Sequence, residues 1–121
     1  MRCFTFELNG KEINMRLRSE DAIKIEKTYN TKLLDYIQDY AVTTIINLFR
    51  FMRKGGGEQA FSQEDAQKFY DELVDEGWAI QGMIENIIMP TCEASGLLTK
   101  SDLQKIMEKK AELEATQGEN A

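Results

Sequence analysis

The dipeptide Asn9-Gly10 lies between two stretches in which apolar residues alternate: Phe4, Phe6 and Leu8 before it, and Ile13, Met15 and Leu17 after it. A two-residue type I′ turn needs positive φ at both central positions, and Asn-Gly is the strongest short-range signal for it. Such a loop pairs Leu8 with Lys11, Phe6 with Ile13 and Phe4 with Met15, which puts all of these apolar side chains on one face. A slip of one residue would scatter them. The hairpin predicted over 3–17 must dock its apolar face on other elements, because an isolated hairpin is only marginally stable.

The period of the pattern then changes from two to three or four, the spacing of helices. Ser19 is a candidate N-cap for a helix over about 20–28, with Glu20 and Asp21 in its first turn and Asn30 able to end it in a left-handed conformation. Leu34, Ile37, Ala41, Ile45, Leu48 and Met52 form a stripe that predicts a helix over 32–53, with Asp39 to Val42 as the place where it would break. Ser62 caps a helix over 62–76, Phe61 stands ready to staple it, and Phe69, Leu73 and Val74 are its buried side. A helix over 78–95 contains Pro90, which should kink or split it. A last helix is expected over 101–114, followed by a flexible tail at 116–121. The expected fold is therefore mainly α: one domain over 1–115, with an N-terminal β-hairpin packed on a bundle of about five helices.

The chemistry available is narrow. The chain has no histidine, so the usual general base, the usual metal ligand and every histidine-containing triad are missing. Cys3 and Cys92 stand alone, where a structural metal site wants about four ligands. They read as reduced thiols. The carboxylate clusters Glu20-Asp21 and Glu72, Asp75, Glu76 read as solvated helix faces. In "RKGGGE" the lysine precedes the glycines and a helix precedes both, the reverse of a phosphate loop, so the glycines read as a flexible connection. No enzyme, catalytic residue, cofactor or metal is expected. Nothing approaches the ~20 apolar residues of a membrane span, and the start "MRCFTFELNGKE" has no secretory apolar region.

A net charge of -6 and a pI near 4.7 argue against a dedicated nucleic-acid binder. The alternative is a small prophage-encoded nucleic-acid-binding regulator that uses Arg50, Arg53 and Lys54 with the neighbouring aromatics. The segment Ile45 to Met52 is interrupted only by Asn47 and Arg50. It has more apolar surface than one helical stripe needs. Part of it is expected in the core. Phe49, Phe51 and Met52, near the rim, are expected to bind a partner or a second copy of the chain, so that Phe49→Asp or Phe51→Asp would keep the fold and weaken binding.

The stretch "FELNGKEINMRLRSEDAIKIEKTYNTKLLDYI" resembles the opening of tail assembly chaperones from long-tailed phages and prophages of Gram-positive bacteria. The shared features are the hairpin around Asn9-Gly10-Lys11, the helix motif from Ala22 to Lys27, the break at Asn30 (where a glycine is common) and Leu33-Leu34-Asp35. With the later helices down to "SGLL" at 95–98, the resemblance covers about residues 4–98. These are packing and turn motifs rather than chemical ones. The resemblance implies a non-enzymatic protein that binds the tape measure protein, the tail tube protein or both in the host bacterial cytoplasm. It also implies absence from the mature virion.

Overall fold

The structure is a computed structural model, and it describes residues 2–106 and 108. Strands β1 (Phe4–Leu8) and β2 (Lys11–Met15) form the antiparallel hairpin, with Phe4 opposite Met15, Phe6 opposite Ile13 and Leu8 opposite Lys11. Asn9 and Gly10 take φ of 53° and 78°, as a type I′ turn requires. Leu8, Ile13 and Met15 are buried, while Phe4 and Phe6 are partly buried against the same core.

Helix α1 (Ser19–Tyr29) begins one residue earlier than expected. Its N-cap is Arg18, not Ser19. The Arg18 Nε donates to Asp21 Oδ2 at 3.1 Å, and this pair lets Asp21 be buried instead of lying on a solvated face. Asn30 ends α1 with φ of 49°, the left-handed conformation expected of it.

The helix expected over 32–53 is two helices, α2 (Leu33–Ile37) and α3 (Val42–Gly55). The break falls in 38–41, where Tyr40 takes φ of 58°. The split shifts the buried register of α2: Leu33, Tyr36 and Ile37 are buried, while Leu34, placed by the single-helix stripe on the inner side, is 37% exposed.

Helix α3 is the centre of the molecule, with β2, α2, α4 and the later helical segment all packed on it. Ile45, Leu48, Phe49 and Met52 are each 0% exposed. Full burial of such side chains is worth ~1.5–3 kcal/mol each, so this helix carries a large part of the folding drive.

Gly55, which ends α3, and Gly56 after it form a close-packed joint, whereas Gly57 has open space around it. A Cβ on Gly55 would lie 1.9 Å from the Arg16 carbonyl oxygen, and one on Gly56 would lie 1.9 Å from that of Asn14. Only residues without a side chain let the end of α3 press on the backbone of the hairpin. The Arg16 amide donates to the Met52 carbonyl at 3.0 Å across this contact.

Helix α4 (Gln63–Asp75) carries the expected cap. The Asp65 amide donates to Ser62 Oγ, and the Ser62 amide donates to Asp65 Oδ2. Phe69 and Leu73 are buried, but Val74 is 46% exposed, outside the stripe expected for it. Phe61 packs on Phe69, with ring centroids 6.3 Å apart.

The Pro90 helix is not split. Helix α5 (Ile80–Met83) runs through a π-turn (Ile84–Ile88) into α6 (Met89–Ala94). Proline has no N–H for the i−4 carbonyl and its ring crowds that position. The wide turn, in which the Met89 amide reaches back to the Ile84 carbonyl, relieves that conflict just before it arises. A further helix, α7, starts at residue 100 and is described to 106, behind a capping box of Thr99 and Asp102. The remainder of the helix expected over 101–114, and the tail at 116–121, lie outside the described residues.

The molecule is mainly helical with a two-stranded hairpin packed on the helices. The described helices share one hydrophobic core with the hairpin. Among the described residues, the break at 38–41 turns the five expected helices into six if α5, the π-turn and α6 are taken as one.

Candidate partner-binding groove

The residues expected to face a partner are inside the protein. Phe49 and Met52 are 0% exposed and Phe51 is 6% exposed. Phe49 meets Phe69 edge-on at 5.1 Å, and Phe51 lies under Arg50 at 4.6 Å. The apolar surplus of "IINLFRFM" faces core on several sides at once, because α3 has neighbours on several sides. A surface patch at these positions is thereby corrected to a core assignment.

Apolar surface is exposed elsewhere. Ile23 on α1 is 50% exposed and Leu34 on α2 is 37% exposed. Both line a groove of about 470 Å³ between these helices and the turn after α6, which contributes Leu97 and Leu98. Its rim carries Glu26, Lys32 and Asp35.

Local chemistry holds the walls of this groove. Glu26, on α1, accepts the Leu33 amide at 3.0 Å through Oε2. Leu33 is the first residue of α2, so a carboxylate from one helix caps the open amides of the next and fixes the angle between them. On the other wall, the Leu97 amide donates to the Cys92 carbonyl and Gly96 takes φ of 81°, which folds the chain back so that Leu97 and Leu98 reach the groove. The Ser95 hydroxyl accepts the Leu17 amide at 2.9 Å and donates to the Thr91 carbonyl at 2.6 Å, anchoring this turn to the segment after the hairpin.

Neither Ile23 nor Leu34 stands out in the sequence as an exposed residue. Ile23 sits beside the buried Ala22 and Ile25, and Leu34 follows the buried Leu33.

A second cavity of about 460 Å³ opens between α1, α2 and the start of α3. Tyr29 and Tyr36 stack on its wall at 4.8 Å, and Asn47 Nδ2 donates to both hydroxyls, at 3.3 and 3.0 Å. Burial pushes the Tyr36 hydroxyl above its usual pKa, so it stays a protonated structural group. Burial likewise pushes the Cys92 thiol up to about 12. Cys92 is an inert core residue and Cys3 is half-buried.

The basic residues Arg50 and Arg53 are brought near aromatics, as the sequence suggested, but in a different way. Arg50 lies on Phe51, and Arg53 lies on both Phe61 and Phe69, at 4.7 and 4.8 Å. These arginines cover the rings. Among the described residues, no group of three or more acidic or cysteine side chains is placed to hold a metal, and no helix is long and apolar enough to cross a membrane.

In comparisons with known proteins, no family model, no curated protein and no solved structure matches the chain.

Proposed function

We propose that this chain is a non-enzymatic tail assembly chaperone of a long-tailed phage or prophage. It would bind the tape measure protein, the tail tube protein or both in the host cytoplasm, and be left out of the finished virion. The observation that carries this proposal is the groove formed by Ile23, Leu34, Leu97 and Leu98 on an otherwise acidic molecule. An apolar groove of this kind suits the apolar face of an amphipathic helix, and a net charge of -6 keeps the loaded holder soluble. The likeness of the hairpin and first helices to that chaperone family supports the same reading. Client binding is thus assigned to the α1–α2 groove, in place of Phe49, Phe51 and Met52.

The nucleic-acid alternative is weaker. Binding of single strands needs free aromatic faces for bases to stack on, whereas Phe51, Phe61 and Phe69 each carry an arginine.

The test is co-expression with the tape measure protein encoded in the same genome, then pull-down and measurement of client solubility. The double variant Ile23→Asp/Leu34→Asp should keep the native circular dichroism spectrum and lose the client. Absence of binding to both the tape measure and the tube protein would defeat the proposal, and tight nucleic-acid binding that weakens steeply with salt would favour the alternative.

A further inference from the structure

The hairpin has one covered edge and one open edge. Its two-residue turn makes Leu8 and Lys11 a hydrogen-bonded pair. Phe6 with Ile13 and Phe4 with Met15 are then hydrogen-bonded pairs too, and the residues between them turn their N–H and C=O groups outward. On β2 these outward groups meet α3. The Asn14 carbonyl oxygen lies against Gly56, and the next outward amide, that of Arg16, donates to the Met52 carbonyl at 3.0 Å. On β1 the outward groups belong to Thr5 and Glu7, and both residues are exposed. Among the described residues, no backbone hydrogen bond joins either of them to a third element.

The outer face beside this open edge carries uncompensated charge. Glu7 stands directly opposite Glu12, both are exposed, and the pair is of the closely spaced kind. Like charges so placed destabilise a ladder. None of the ion pairs among the described residues involves either carboxylate. Lys11 projects to the opposite face, where it lines a recess with Ile13 and Phe69, and Arg16 lies four residues beyond Glu12. The outer-face neighbours are neutral: Thr5 Oγ1 donates to Asn14 Oδ1 at 2.7 Å. On the inner face Phe4 and Phe6 stack at 5.8 Å and are only partly buried.

We propose that the outer edge of β1 is a strand-docking site, which takes an extended segment of a partner chain with a lysine or arginine beside Glu7 and an apolar residue beside Phe6. The free groups of Thr5 and Glu7 supply backbone hydrogen bonds to a third strand. The pleat sets the partner's pattern. Its residues bonded to Thr5 and Glu7 share their outer face, and the residue between them extends the phenylalanine face. A cation beside Glu7 offsets the repulsion from Glu12, whereas a neutral or acidic segment leaves it in place. A second copy of this chain is the wrong occupant, because pairing β1 with β1 gathers four glutamates on one sheet face. The edge shares no residue with the α1–α2 groove and does not rest on the client proposed for that groove.

The test is an NMR titration of the full chain, following the shifts and hydrogen exchange of the Thr5 and Glu7 amides. The probe is the peptide N-acetyl-Thr-Val-Lys-Val-Thr-amide. A second arm replaces its lysine with glutamate, and a third methylates the backbone nitrogen of that lysine. Saturable shifts and slowed exchange at Thr5 and Glu7 are expected with the first peptide, about tenfold weaker binding with the glutamate peptide, and none with the methylated one. Glu7→Lys should reverse the order of the first two peptides. Thr5→Pro removes one outward N–H at a position where an edge strand tolerates proline, and should weaken binding several-fold. No saturable shift at millimolar peptide would reduce Glu7 and Glu12 to edge protection and overturn the proposal. Equal binding of the glutamate or the methylated peptide, or shifts centred on Ile23 and Leu34 instead, would also overturn it. Should Thr5→Pro unfold the chain, Glu7→Lys decides: an unchanged order of peptides overturns the proposal.

Discussion

Substituting Gly55 with alanine adds one methyl group where the end of α3 presses on the hairpin. The new Cβ would sit 1.9 Å from the Arg16 carbonyl oxygen and 2.9 Å from the carbonyl carbon. Both are backbone atoms of the segment that follows β2, so no side chain can swing aside. To reach an ordinary contact of 3.4 Å the helix end must retreat by about 1.5 Å. That movement breaks the hydrogen bond from the Arg16 amide to the Met52 carbonyl. Overpacking costs ~1–3 kcal/mol and an unmade buried backbone hydrogen bond another ~1–3 kcal/mol, against a gain in helix propensity of at most ~1 kcal/mol. The net expectation is a loss of about 1–6 kcal/mol, a large share of the ~5–15 kcal/mol that holds a domain together. Gly82→Ala is the matched control. There the nearest atom is Trp78 Cε3 at 3.6 Å, a normal contact, so the same change should stabilise by ~0.5–1 kcal/mol. Urea unfolding followed by the fluorescence of Trp78, the chain's single tryptophan, measures both. A Gly55→Ala protein as stable as the parent would refute the close-packed joint and return the glycines to the role of a flexible connection.

Phe49→Asp should leave no folded protein by circular dichroism, since removing a buried phenylalanine alone costs ~3–5 kcal/mol and a carboxylate would take its place at 0% exposure. A folded Phe49→Asp protein would restore the surface assignment for that helix. Ser62→Ala should cost ~1 kcal/mol through loss of the α4 cap. In the parent, the hydrogen bonds from Ser62 hold the Asp65 carboxyl below its ordinary value of 3.8, so its contribution is present above 3.8 and is lost as pH falls through the lower folded value. The backbone amide of residue 62, the larger cause, survives in Ser62→Ala, so carboxyl NMR should show Asp65 titrating at a somewhat higher pH than in the parent, and equal midpoints would rule out a contribution from the Ser62 hydroxyl. Under native conditions a thiol reagent should modify Cys3 and spare Cys92 until the chain is unfolded, and fast double labelling would contradict the burial of Cys92.

The patterns that were legible in the sequence are those with local causes. Asn9-Gly10 and the period-two alternation determined the hairpin and its register, because turn geometry and the pleat act within a few residues. Ser62 announced α4, and Asn30 announced the end of α1, because caps are satisfied by neighbouring backbone. The general architecture, helices with a docked hairpin, followed from the change in period. The absence of histidine, a property of the chain alone, narrowed the chemistry without any structure.

What required the tertiary structure was every question about which neighbour covers which face. Periodicity shows that a helix has apolar sides but not how many of them find a partner. Phe49, Phe51 and Met52 therefore looked like candidates for a surface, whereas packing on several sides of α3 made them core. The same limit hid Ile23 and Leu34, whose exposure depends on where α2 breaks and on the turn that brings in Leu97 and Leu98. It also hid the burial of Asp21 with Arg18 and the packing of Gly55 and Gly56 on the hairpin. Local sequence sets backbone conformation, but burial and recognition are sums over contacts between segments far apart in the chain, and those exist only once it has folded.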